Sequence, residues 1–117
     1  MSSRIDWTDE QWASYLGMDI RNVPMIRKII TENYSATIVK NKKTSKLTIG
    51  IYKYEITPSG FKRPFLLVTA KQDFEKTQDA VKYANEQFLP GLELTEYWAK
   101  SFGVPSRALQ MLCVKER

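Results

Sequence analysis

The sequence predicts an α+β fold in which a three-stranded antiparallel meander is flanked by helical pairs near the N-terminus and the C-terminus. Apolar residues recur at helical spacing near both ends, next to capping residues and helix-ending glycines. Between them the pattern changes to apolar–polar alternation divided by turn signals, which is typical of strands. A chain of 117 residues suits one compact domain, 1–117. Within it we expect a helical pair at 8–33, a sheet at 35–70 and helices at 73–116.

The N-terminal helical pair is predicted from its caps. Thr8 and Gln11 are spaced as a capping box before an apolar pattern, and Gly17 supplies the left-handed conformation that ends a helix. A first helix should therefore run from about Thr8 to the residue before Gly17. The second should begin near Asn22–Pro24, because proline is tolerated in a first helical turn, and should continue to about Asn33.

The central stretch predicts three strands and one further helix. The second strand alternates apolar and polar residues, and 57–60 reads T-P-S-G, a strong turn signal. The predicted strands are Ser35–Lys40, Lys46–Ile56 and Phe65–Ala70, the last bounded by Pro64, and an amphipathic helix should cover Asp73–Phe88.

The C-terminal stretch 95–114 reads T-E-Y-W-A-K-S-F-G-V-P-S-R-A-L-Q-M-L-C-V. Its spacing of Ala99, Gly103, Leu109 and Leu112 resembles the helix-turn-helix family of DNA-binding motifs. The resemblance implies that the second helix enters a major groove, with the base-reading side chains Ser106, Arg107 and Gln110. A plain helical corner packed into a core is the alternative interpretation.

The same pattern occurs near the N-terminus, since residues 10–26 align with residues 96–112 and share identical residues at six positions. Both copies hold tryptophan, alanine, glycine and arginine at equivalent places. In the N-terminal copy, Pro24 shortens the helix that would correspond to the base-reading helix of the motif. We therefore expect the basic residues Arg21 and Lys28 of this copy to contact phosphate or to be simply solvated, rather than to contact bases.

The net charge of +5 is concentrated in the middle of the chain. Residues 34–72 hold eight basic side chains against the single acid Glu55, and such a surface attracts phosphate backbones. In winged-helix proteins, which the order of elements partly resembles, a basic hairpin contacts the DNA backbone. The candidate phosphate-binding residues are Lys40, Lys42, Lys43, Lys46, Lys62 and Arg63. Alternatively, the lysines protect exposed strand edges from aggregation.

Composition excludes several classes of function. The absence of histidine removes Ser-His-Asp and Cys-His nucleophile schemes, and no phosphate-binding G-x-x-x-x-G-K-[ST] loop is present. We therefore expect no enzyme, no cofactor and no metal. The single cysteine allows no internal disulfide, and no apolar run could span a bilayer, so we expect a cytoplasmic protein without membrane contact.

Three functions remain open. The first is duplex DNA binding by a transcriptional regulator or accessory factor. The second is a protein-interaction module or inhibitor, of the small phage type, without DNA contact. The third is single-stranded nucleic acid binding, with bases stacked on Tyr52, Tyr54 or Phe61 of the basic sheet. A homodimer is also left open, because symmetric sites are usually read by dimers, while two motif copies could read both halves within one chain.

Overall fold

A computed structural model describes residues 6–114 and has the predicted α+β architecture. The helices are α1 Asp9–Leu16, α2 Val23–Asn33, α3 Thr77–Tyr83 and α4 Glu96–Phe102, and the strands are β1 Tyr34–Lys40, β2 Leu47–Ile56 and β3 Lys62–Thr69. Short 3₁₀ helices cover Ile20–Asn22, Leu89–Gly91 and Ser106–Met111, and a π-helical turn covers Ala84–Phe88.

The predicted caps of α1 are confirmed. The Gln11 amide donates to the Thr8 hydroxyl at 3.3 Å, and the Thr8 amide donates to the Gln11 side chain at 2.9 Å. These reciprocal bonds satisfy two amides that a helix start would otherwise leave without partners. Gly17 ends the helix with φ 69°, which glycine adopts without the steric cost of a Cβ atom.

Helix α2 continues directly into β1, so the helical layer is fixed to the sheet at this junction. Pro24 lies in the first turn of α2, as predicted, where its missing amide costs no helical hydrogen bond. Val23, Ile26 and Ile30 form the buried stripe of the helix. Tyr34 then takes extended geometry and begins the sheet.

The sheet has the order β1-β2-β3, and both pairs are antiparallel. The predicted bounds of β3 are wrong at its start: the strand begins at Lys62 and includes Pro64, rather than starting at Phe65. Pairing begins early because the Thr57 amide donates to the Phe61 carbonyl at 2.8 Å and closes the hairpin. Proline is tolerated there because β3 is an edge strand.

One face of the sheet holds the main core. Ile49, Ile51 and Tyr34 are buried on this face, and α2, α4 and the C-terminal 3₁₀ helix contribute apolar side chains to the same cluster. A smaller cluster of Trp12, Ala13 and Val23 joins α1 to α2. The helices therefore cover one side of the sheet.

The helix predicted over Asp73–Phe88 begins later than expected, at Thr77. Phe74 instead pairs with Leu47, and each amide donates to the other's carbonyl, at 2.7 and 2.8 Å. Because the backbone of Phe74 is held in extended geometry by β2, the helix cannot begin before this bridge. No helix within residues 6–114 is long and apolar enough to cross a membrane.

Candidate nucleic-acid interface

The internal sequence repeat is also a structural repeat at its two glycine corners. Gly103 ends α4 with φ 65°, close to the 69° of Gly17. The residue after each glycine closes the corner through an equivalent bond: the Val104 amide donates to Ala99 at 3.1 Å, and the Met18 amide donates to Ala13 at 3.0 Å. Two similar sequences thus form similar helix ends.

The second halves of the two copies differ. The N-terminal copy continues into the eleven-residue α2, whereas the C-terminal copy forms a six-residue 3₁₀ helix over Ser106–Met111. Three consecutive residues of that short helix, Ala108, Leu109 and Gln110, are buried. An α-helix in a major groove exposes one face along several turns, and this segment offers no comparable face.

Gln110, which was expected to read bases from an exposed helix face, does not face solvent in this structure. The side chain is 5% exposed. Its amide nitrogen donates to the Leu92 carbonyl, and its amide oxygen accepts a 2.7 Å hydrogen bond from the Tyr15 hydroxyl. Both polar groups of this side chain therefore form hydrogen bonds within the protein. A buried amide without hydrogen-bond partners would destabilise the fold.

Of the other two predicted base-reading residues, Arg107 lies beside Tyr15 of α1, and Ser106 lies beside Leu94. Arg107 is half-exposed, with its Nε atom 3.7 Å from Glu93 and its guanidinium 5.2 Å from the Tyr15 ring centroid. Ser106 is half-buried, and its carbonyl accepts a hydrogen bond from the Leu94 amide.

Helix α4 packs near the start of β1, where the Phe102 ring meets Tyr34 at a centroid distance of 5.5 Å. The lysine-rich turn follows the other end of β1. Since that strand has seven residues, the two regions are separated by roughly 20 Å at about 3.3 Å per residue. The structure therefore does not bring the C-terminal motif and the basic turn together.

The basic residues of the N-terminal copy are exposed and paired with acids. Arg21 contacts Asp19 at 3.1 Å, and hydrogen bonds from its side chain and backbone lower the pKa of that carboxyl group. Lys28 lies 4.0 Å from Glu32, one helical turn away. Pairs this exposed are weak, so both side chains stay accessible to an anion.

The turn between β1 and β2 presents four of the predicted phosphate-binding lysines. Lys40, Lys42, Lys43 and Lys46 are all exposed. Lys46 lies 3.9 Å from Glu75, while no described residue forms an ion pair with the other three. The positive charge of this turn is therefore largely uncompensated.

Local hydrogen bonds define the shape of this turn. The Asn41 backbone amide donates to the Lys46 carbonyl at 2.7 Å, and the Ser45 amide donates to the Asn41 carbonyl at 2.8 Å. The Asn41 side chain accepts from the Lys43 amide at 2.9 Å, and Ser45 has a positive φ of 61°. The lysines thus project from a fixed loop.

The remaining basic residues of the middle third divide between the core and the far end of the sheet. Lys53 is 7% exposed, with its Nζ atom 2.8 Å from Glu55 and 3.5 Å from the Trp98 ring centroid. It therefore adds nothing to the basic surface. Lys62 and Arg63 are exposed at the start of β3, opposite the end of the sheet that holds the turn.

The burial of Lys53 was not predicted, although a signal is present in the sequence: the residue lies two positions after Ile51 and four after Ile49, on the core-facing side of β2. Lys71 was not among the predicted phosphate-binding residues. Lys71 is exposed just after β3, at the same end of the sheet as the basic turn.

The face of the sheet that the helices leave uncovered is termed the open face, and it comprises Val39, Gly50, Tyr52, Tyr54 and Leu66. Strand alternation and cross-strand register place these residues opposite the core-facing Ile49 and Ile51. None of them belongs to the main core cluster.

Two tyrosines dominate the open face. The Tyr54 hydroxyl lies 3.1 Å from the Ser35 hydroxyl on β1, so its ring extends along the sheet from β2 towards β1. The ammonium group of Lys62 lies 5.9 Å from the centroid of that ring. Tyr52 and Tyr54 are both half-buried, and each retains solvent-accessible surface.

Comparisons of the chain with protein-family models, curated proteins and solved structures give no match. Within residues 6–114, no group of three or more cysteine, aspartate or glutamate side chains is arranged to hold a metal ion. The site is therefore interpreted from its own chemistry: fixed lysines at one end of a sheet, two more basic residues at the other, and tyrosines between them.

Proposed function

We propose that the protein binds single-stranded nucleic acid across the open face of its sheet. The observation that carries the proposal is the position of Tyr52 and Tyr54 between two exposed basic groups. Bases stack on aromatic rings whatever their sequence, and each stacked base contributes about 1–3 kcal/mol. The phosphate backbone of the nucleic acid would contact lysine or arginine side chains at either end of the open face.

The dimensions of the sheet suit this ligand. Strand β2 has ten residues and so extends for roughly 30 Å at about 3.3 Å per residue. This length separates Lys42 and Lys43 from Lys62 and Arg63. A strand of several nucleotides can cover it, within the range of roughly 4–16 nucleotides bound by other small β folds.

Charge supports phosphate contact at the turn more than elsewhere. Lys42 and Lys43 project from a hydrogen-bonded loop and form no ion pair with a described residue. A phosphate that binds there displaces no internal carboxylate. Each phosphate neutralised on a single strand contributes about 0.7 to the slope of log affinity against log salt.

Duplex DNA binding by the C-terminal helical pair has less support. With Gln110 buried, Arg107 is the one charged side chain of the 3₁₀ helix, and it pairs with Glu93. The basic turn that would grip the adjacent backbone lies at the far end of β1. The two modes of binding can still be distinguished, because Arg107→Ala would lower the affinity for duplex DNA and leave the affinity for a single strand unchanged.

The test is anisotropy of a labelled single-stranded oligonucleotide of about 12 bases, titrated at several salt concentrations, with an unlabelled duplex as competitor. We expect Lys42→Ala/Lys43→Ala to weaken binding and to reduce the salt slope by about 1.4. The control is Lys100→Ala, which changes an exposed lysine of α4.

Tyr54→Ala tests stacking separately from charge. We expect it to weaken binding roughly 5- to 150-fold, which corresponds to the 1–3 kcal/mol of one stacked base, without a change in the salt slope. Tyr97→Ala is the matched control, since Tyr97 is 69% exposed on α4 and does not belong to the open face. No binding at low salt would reject nucleic acid as the ligand. If the unlabelled duplex competes more strongly than an unlabelled single strand, and Arg107→Ala weakens that competition, the ligand is duplex DNA rather than a single strand.

A further inference from the structure

Gly50 lies on the central strand of the open face, and one side chain from each of the three strands packs over it. A Cβ atom built on this glycine would lie 3.2 Å from Leu66 Cδ1, 3.3 Å from Tyr52 Cε2 and 3.3 Å from Val39 Cγ2. Leu66 belongs to β3, Tyr52 to β2 and Val39 to β1. The space that a side chain at residue 50 would fill is therefore occupied by these neighbours.

The backbone conformation of Gly50 does not require glycine. The glycines with a positive φ are Gly17, Gly60 and Gly103, whereas Gly50 pairs in register with both neighbouring strands. Glycine weakens the interior of a strand, because it has no side chain to pack, and it often marks a place where another group approaches the backbone closely. At residue 50 the group that approaches is the ring of Tyr52.

The Tyr52 ring lies along the sheet rather than perpendicular to it. Residues two positions apart on a strand are separated by roughly 6.6 Å, so a perpendicular ring on residue 52 would stay well away from Gly50. The Cε2 atom instead comes within 3.3 Å of the Cβ position of that glycine. One side of the ring thus covers the backbone of Gly50, and the other side faces solvent. The half-buried state of Tyr52 agrees with this arrangement.

The Tyr54 ring leans in the same direction along the sheet. Its hydroxyl lies 3.1 Å from the hydroxyl of Ser35, and Ser35 is the register partner of Tyr52 rather than of Tyr54. The ring therefore extends from its own position back towards the position of Tyr52. Since both rings lean the same way from positions two residues apart, they lie side by side, and each offers one side to a ligand.

The spacing of the two rings determines which single strand fits them. Bases stacked within a strand lie about 3.4 Å apart, whereas the two tyrosines are separated by roughly 6.6 Å along β2. Consecutive bases that lie one on each ring therefore cannot also stack on one another. The nucleic acid must lose this base–base stacking when it binds. Pyrimidine runs lose least, because their bases stack on one another most weakly.

We propose that the open face selects pyrimidine-rich single strands, with adjacent bases on Tyr52 and Tyr54, and that Gly50 is the positioning residue that lets the Tyr52 ring lie flat. The inference rests on the proposed function, because it specifies which single strand the open face takes. Selection by stacking is modest, since no base edge is read by hydrogen bonds. The difference in stacking strength of one base step corresponds to about 3- to 10-fold in affinity.

The test is anisotropy of labelled oligo(dT) and oligo(dA), each of about 12 bases, titrated with the full chain at one salt concentration. The two probes carry the same charge, so the ratio of their affinities reports the bases alone. We expect oligo(dT) to bind about 3- to 10-fold more tightly. If oligo(dA) binds at least as tightly, the preference is overturned while single-strand binding stands. If neither probe binds, the proposed function is rejected and the preference with it.

Two variants test the arrangement of the rings. Gly50→Ala places a Cβ atom against the Tyr52 ring and should weaken oligo(dT) binding and bring the affinity ratio towards one. Tyr52→Leu removes the ring but keeps an apolar side chain beside Gly50, and it should change the ratio in the same way. Circular dichroism checks that both variants fold.

The matched control is Gly91→Ala, because an added Cβ there has no atom within 4 Å. It should keep the wild-type affinities and their ratio. A wild-type ratio in Tyr52→Leu would overturn the proposal, since the ring would then not cause the preference. A ratio that changes in Tyr52→Leu but not in folded Gly50→Ala would overturn the positioning role of Gly50.

Discussion

Substitutions of Gln110 test whether this side chain stabilises the fold or contacts DNA bases. Its side chain links the Leu92 carbonyl to the Tyr15 hydroxyl and is 5% exposed. Gln110→Ala removes both hydrogen bonds and leaves a void where the side chain was. A lost hydrogen bond costs about 0.5–1.5 kcal/mol, and a buried group left without its partner costs more.

With the void included, we expect Gln110→Ala to lower the free energy of unfolding by about 2–4 kcal/mol. Gln110→Met separates the two contributions, because it keeps most of the volume and loses the hydrogen bonds alone. It should cost about 1–3 kcal/mol. The neighbouring Arg107→Ala is the control: Arg107 is half-exposed and its ion pair with Glu93 is long, so we expect a change below about 1 kcal/mol.

The assay is urea-induced unfolding of the three variants and the wild type, followed by circular dichroism at equal protein concentration. The order of midpoints should be wild type and Arg107→Ala highest, then Gln110→Met, then Gln110→Ala. If Gln110→Ala unfolded at the wild-type midpoint and instead lost affinity for a duplex, the burial argument would be refuted. That result would support a base-reading role for Gln110.

Two further predictions concern single residues of the fold. Tyr34→Phe should keep or raise stability by about 1 kcal/mol, since it removes a buried hydroxyl that has no hydrogen-bond partner within the described residues. Burial raises the pKa of Tyr34 from 10.0 to about 12, so the wild type should lose stability as the pH rises from about 10 to about 12; an equal loss in Tyr34→Phe, measured by urea unfolding, would contradict this. Gly103→Ala should cost about 1–2 kcal/mol because the residue has φ 65°, whereas Gly91→Ala, with no positive φ and no atom within 4 Å of an added Cβ, should cost far less; equal thermal midpoints for the two variants would argue against the left-handed corner.

The sequence by itself determined the features that depend on neighbouring residues. The capping box of Thr8 and Gln11, the glycine ends of α1 and α4, and the turn at 57–60 are all found where their chemistry predicts them. These features could be predicted because each is closed by hydrogen bonds or backbone geometry within a few residues. The alternation of β2 likewise indicated which of its faces is buried, since side chains of a strand alternate by geometry alone.

Tertiary structure alone decided which polar side chains are used inside the protein. Gln110 is buried because the 3₁₀ helix packs between Tyr15 of α1 and Leu92, residues that lie 95 and 18 positions away in the chain. Strand alternation already places Lys53 on the core-facing side of β2, but its partner Trp98, whose ring centroid lies 3.5 Å from the ammonium group, comes from a distant segment. Phe74 is held by β2 instead of beginning a helix. Contacts of this kind depend on how distant segments pack, and a pattern of neighbouring residues does not contain that information.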